Sequence, residues 1–177
     1  MSMFNRNLKS LALIVLIYPA LPAASQEAGL GVAIDADALV GFDLVAPPDG
    51  SGFPAGSGTV NEGRQVYNAR CAACHAADGT GVSGNTIIVG GDMASEDTPL
   101  RTVGSYWPHA STLFDFVRRA MPADAPKSLS DEEVYQVTAY VLYLNGIIDE
   151  DVRLDRNTLM AIRMPNADGF IDRSAIQ

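Results

Sequence analysis

The stretch RQVYNARCAACHAADGTGVSG, residues 64–84, contains both cysteines of the 177-residue chain and one of its two histidines. Cys71, Cys74 and His75 fall in one short string, so neither thiol has a distant partner. That excludes a disulfide framework and a four-cysteine zinc or iron–sulfur site within this chain. Two thiols at this spacing reach the two vinyl groups along one porphyrin edge, and the adjacent imidazole is then placed beneath the iron. The motif therefore predicts one covalent haem c, with Cys71 and Cys74 as tethers and His75 as proximal axial ligand. A thioredoxin-like pair would need a βαβ setting, and half a zinc site would need more ligands than His109, the other histidine, supplies.

A second axial ligand decides whether the iron is open to small molecules or closed for electron transfer. The candidates are Met93, Met121, Met160, Met164 and His109. Met93 lies only 18 residues beyond His75, in a glycine-rich segment that must still pass round the haem edge. His109 reads better as a helix-entry residue. Met121 follows a helix, precedes Pro122 and sits in a loop that can turn its thioether inward, so it is favoured, with Met164 as the alternative sixth ligand. Either thioether would raise the haem potential; the competing role is core filling.

Working outward, Thr59-Val60-Asn61-Glu62 has capping-box form and starts a short helix that carries Val66, Tyr67 and Arg70 into Cys71. The glycine-rich loop after His75, with Ile87-Ile88-Val89 and Gly90-Gly91, predicts little regular structure. Residues 111–120 read as a helix in which Leu113, Phe114, Phe116, Val117 and Ala120 cluster, closed by Met121-Pro122. Ser130-Asp131-Glu132-Glu133 is a second capping box. Behind it Val134, Val137, Val141 and Leu144 mark one face of a helix ending at Asn145-Gly146. The acidic start of this helix suits its dipole. A weak helix is expected over residues 157–164, and no alternating strand pattern is visible, so the expected class is all-α.

At the other end, residues 1–25 have the form of a signal peptide: Arg6 and Lys9, an apolar run over residues 11–18, then Ala23-Ala24-Ser25. The run is too short to cross a bilayer comfortably. Cleavage predicts a periplasmic protein with no membrane span, and takes the formal charge from -9 to -11. That charge argues against nucleic acid and acidic lipid surfaces as partners. The expected organisation is a signal peptide at 1–25, an extended arm at 26–57 punctuated by Pro47-Pro48-Asp49-Gly50, a haem domain at 58–148, and a tail at 149–177 packing on it.

The CxxCH after a short helix, the glycine-rich loop, the Met-Pro after a middle helix and the closing LSDEEVYQVTAYVLYLNG helix resemble a class I cytochrome c over residues 58–148. In that family the first and last helices cross where a glycine meets an aromatic; Gly63 and Tyr67 against Tyr140 and Leu144 match by position. The strings PPDGSGFPAGSGTVNEG, RTVGSYWPHASTLFDFVRRAMP, LSDEEVYQVTAYVLYLNGII and MPNADGF look like the cytochrome c subunit or domain of bacterial sulfite and sulfane dehydrogenases of the Sox type. Many class I cytochromes orient the proximal histidine with the carbonyl of a proline after CxxCH. This chain has no proline between His75 and Pro99, which leaves that carbonyl unassigned.

The resemblance implies a monohaem electron-transfer protein rather than an enzyme. It would accept single electrons from a molybdenum-cofactor sulfite/sulfane dehydrogenase subunit and pass them to a downstream cytochrome c or oxidase. The alternative is a haem protein with an open sixth site, acting in small-molecule binding or redox catalysis. Trp107, Tyr106 and Arg101 are candidates for the haem propionates, although packing or a solvated charge explains each equally well.

Overall fold

The structure, a computed structural model, describes residues 31–83, 86–96, 98–171 and 173. The signal-peptide reading lies outside them. The chain divides into two units, Met1–Ile34 and Asp35–Gln177. Residues 31–34, the described end of the first, are exposed and irregular. The rest concerns the second.

Thr59 caps helix α2, Val60–Arg70: its hydroxyl accepts from the Glu62 N–H while the Glu62 carboxylate accepts from the Thr59 N–H, the reciprocal arrangement that the sequence predicts. After the one-turn α3, Ala72–His75, and a long loop, α4 is a single turn, Val103–Tyr106. Helix α5, Ala110–Ala120, buries Ala110, Ser111, Leu113, Phe114 and Val117. Phe116, grouped with that face from the sequence, instead points outward at 43% exposure and packs edge-on against Trp107 at 5.7 Å. Two residues along a helix is more than half a turn, so Phe116 cannot share a face with Phe114.

Helix α6, Asp131–Leu144, is capped by Ser130 and Glu133. The sequence suggests one buried face; in the structure the buried residues run almost all round it, from Val134 and Tyr135 to Val141 and Leu142. One side meets α2. The other is covered by α5 and by residues 53–56, where the Tyr135 hydroxyl donates to the Pro54 carbonyl at 3.0 Å and the Phe53, Phe114 and Tyr135 rings form a row.

The architecture is helix-rich, with one small two-stranded sheet among the described residues that the sequence does not show. Strands β1, Ser57–Thr59, and β2, Arg153–Asp155, pair antiparallel with Gly58 opposite Leu154. Three residues are too few to display a two-residue period, so nothing in the composition announces them. Leu154 is fully buried, and helix α7, Arg156–Ala161, follows directly. The stretch before β1 is likewise not a plain extended arm. It holds a short helix α1, Ala36–Leu39, and residues 44–52 are fastened to the domain. Arg118 donates to the Leu44 and Gly52 carbonyls at 3.2 and 3.1 Å and pairs with Asp131 at 3.1 Å. The Ala46 N–H donates to Asp115 at 2.9 Å.

Candidate haem-attachment site

The motif sits at the hinge between α2 and the long loop. The Cys71 N–H closes α2 on the Tyr67 carbonyl at 2.8 Å, and the Cys74 and His75 N–H groups turn back onto the Cys71 carbonyl at 3.1 and 3.0 Å. Cys71 is half-buried and Cys74 exposed, and both are free thiols. Burial above all pushes the Cys71 thiol up to about 11, with Cys74 adding to it and Arg70 opposing. Among the described residues no three His, Cys, Asp or Glu side chains gather as a metal site.

The two crossing helices clamp the exit of the motif. Tyr67 of α2 donates to the Ala76 carbonyl at 3.0 Å, and Tyr140 of α6 to the Ala77 carbonyl at 3.4 Å. Burial, before the neighbouring Cys71, raises the Tyr67 phenol above its ordinary value, so it stays a donor. The two tyrosine rings meet edge-on at 5.1 Å. The loop then folds back on the motif: the Gly81 N–H donates to the His75 carbonyl at 2.9 Å and the Val82 N–H to the Cys74 carbonyl at 3.2 Å.

His75 Nδ1 lies 2.6 Å from the carbonyl oxygen of Thr86. A carbonyl only accepts, so Nδ1 is the donor in this contact, and Nε2 is the ring nitrogen left to face a metal. This supplies the orienting carbonyl that the sequence leaves unassigned. Nothing in the type or spacing of Thr86 signals the role; it follows from the return of the loop. The donor set fits a c-type haem: two free thiols at the required spacing beside an imidazole whose Nδ1 is already held.

Met121 caps the C-terminus of α5, its N–H donating to the Val117 carbonyl at 3.2 Å, and its half-buried side chain packs on the core. Met164, in the tail, is 1% exposed and part of the core itself. Met160 is exposed beside Gly50, and His109 stands at the N-cap of α5, its backbone bridged to Arg163. Met93 lines a cleft of about 520 Å3, together with Asn145 and Asn166; neither Cys71, Cys74, His75 nor Met121 borders it. The Arg101 guanidinium lies over the Tyr106 ring at 5.1 Å, and Tyr106 packs edge-on against Phe170 of the tail at 5.2 Å.

Comparison with known proteins agrees with this geometry. The pattern of the family described as cytochrome c oxidase, cbb3-type, subunit III matches residues 58–141. A thiosulfate dehydrogenase of Allochromatium vinosum is 31% identical over 151 residues, covering 78% of this chain and 50% of that protein. A thiosulfate dehydrogenase of Stutzerimonas stutzeri is 30% identical over 88 residues, covering 50% of this chain and 28% of that protein. The chain thus spans half or less of the curated relatives it matches. The crystal structure of the sulfane dehydrogenase SoxCD from Paracoccus pantotrophus superimposes with a TM-score of 0.77 at 34% identity, covering 84% of this chain and 73% of that one. With the attachment motif, its held imidazole and the crossing of α2 with α6 already in place, these likenesses establish that the chain belongs to the cytochrome c family, related to the cytochromes of Sox-type sulfur oxidation.

Proposed function

We propose that this protein is an exported, periplasmic electron-transfer cytochrome carrying one haem c on Cys71 and Cys74, with His75 and Met121 as axial ligands. It takes single electrons from a molybdenum-containing sulfite/sulfane dehydrogenase subunit and passes them to a downstream cytochrome c or oxidase, and does not itself oxidise the sulfur compound. When bound, the haem supplies one-electron cycling of its iron. The chain's own residues position the site: Tyr67 and Tyr140 hold the exit of the motif, and the Thr86 carbonyl holds the imidazole. The observation that carries the reading is the 2.6 Å contact from His75 Nδ1 to the Thr86 carbonyl, which presents Nε2 beside two free thiols. The partner is supported by the likeness to a sulfane dehydrogenase, and export by the sequence of residues 1–25. Among the described residues no helix is long and apolar enough to cross a membrane.

The test is expression in a host able to mature c-type cytochromes. Mass spectrometry should show one haem added to the chain lacking its signal peptide, and the oxidised protein should show the weak red-end band of a sulfur–iron bond. Affinity recovery from the native host should bring down a molybdenum protein. A colourless product of apoprotein mass would refute the haem assignment; a high-spin spectrum would refute the closed sixth site.

A further inference from the structure

We propose that Thr86 is a positioning residue for the axial imidazole, its side-chain hydroxyl bracing the loop in place of the missing proline. The proposal rests on His75 being a haem ligand. One hydroxyl carries three bonds: it donates to the Ser83 carbonyl at 2.7 Å and accepts from the N–H groups of Val82 and Ser83 at 3.2 and 3.3 Å. The donor and both lone pairs are therefore used. The Thr86 N–H also donates to the Ser83 carbonyl, at 3.0 Å.

The loop is built around this hydroxyl. Gly81 has φ +79°, and a β-carbon there would lie 2.8 Å from the Thr86 hydroxyl and 2.9 Å from the Ile87 nitrogen. Only glycine leaves that space at that backbone angle. Beyond Thr86 the chain is held again: the Ile88 and Val89 N–H groups donate to the Gly79 carbonyl at 2.9 and 3.2 Å, and Asn145 at the end of α6 donates to the Ile88 carbonyl at 3.2 Å. The Thr86 carbonyl thus faces His75 from a segment fixed on both sides. A proline would preset one backbone dihedral; here side-chain hydrogen bonds do the equivalent work.

A hydrogen bond from Nδ1 makes the coordinating nitrogen more basic and favours the more positive iron. Removing the brace lets the Thr86 carbonyl drift from Nδ1, which weakens that bond and raises the reduction potential. The experiment compares purified holoproteins carrying Thr86→Val, Thr86→Ala and Thr86→Ser with the native protein, by redox titration and by NMR of the His75 Nδ1 proton. Haem retention is checked first, by mass. The valine and alanine variants should show an upward shift in midpoint potential and faster exchange of that proton, while the serine variant, which keeps the hydroxyl, should stay near the native values. Alanine gives the reading if the valine variant fails to mature. Unchanged potential and exchange on loss of the hydroxyl, or a serine variant shifted as far as alanine, would overturn the proposal. A native protein without haem would instead remove the reading on which it rests.

Discussion

A β-carbon on Gly63 would stand 1.9 Å from the carbonyl oxygen of Gln136, because helices α2 and α6 cross there with backbone against backbone. The same crossing brings Tyr67 onto Tyr140 and so carries both hydroxyls to the carbonyls that follow His75. One absent side chain thereby controls how the haem motif is held.

Gly63→Ala would gain up to about 1 kcal/mol of intrinsic helix propensity. The clash is with backbone, which cannot rotate away, and overpacking of this kind costs roughly 1–3 kcal/mol or more. The variant should be net destabilised, read as a lower urea midpoint of the holoprotein with an unchanged slope.

Met121 and Met164 are separated by burial, and their variants should part accordingly. Met121→Ala should lower the reduction potential, abolish the red-end band and let carbon monoxide bind the reduced protein. Met164→Ala, in the closed core, should lose about 2–5 kcal/mol of stability with the visible spectrum intact. The reverse pattern would assign the sixth ligand to Met164.

Arg118 ties residues 44–52 to the domain through the Leu44 and Gly52 carbonyls and reaches Asp131, with its side chain only 12% exposed. Hydrogen bonds to charged groups contribute about 1.5–3 kcal/mol. Arg118→Ala should lower stability by about that amount. Limited proteolysis should then cut within residues 40–52 before the haem domain.

Burial alone would raise the Asp115 carboxyl, but the Arg119 guanidinium and the Ala46 N–H outweigh it and hold the group below its ordinary value. A depressed folded-state value means that the unfolded chain takes up protons more readily. The contribution is complete above the unfolded value, near pH 4, and is lost as pH falls through the folded one. Urea midpoints should be flat in this respect from pH 7 to 5 and fall below about 4. Asp115→Asn should be less stable at pH 7 and should lose less on acidification; Glu62 and Asp155, also held low by their capping hydrogen bonds, keep the remaining slope.

The sequence by itself determined what is local. CxxCH places two thiols and an imidazole within one turn, and the capping boxes at Thr59 and Ser130 set helix starts within a residue because both partners lie three positions apart. Gly63 and Tyr67 were legible only through the resemblance to class I cytochromes c, in which the first and last helices cross where a glycine meets an aromatic. Tertiary structure alone decided the contacts between segments far apart in the chain: Gly58 against Leu154, Arg118 against Leu44, Asn145 against Ile88, and the Thr86 carbonyl against His75. A backbone carbonyl is identical in every residue, so no composition or period marks which one will meet the imidazole. That is settled only when the loop, turning at Gly79 and Gly81, comes back on itself.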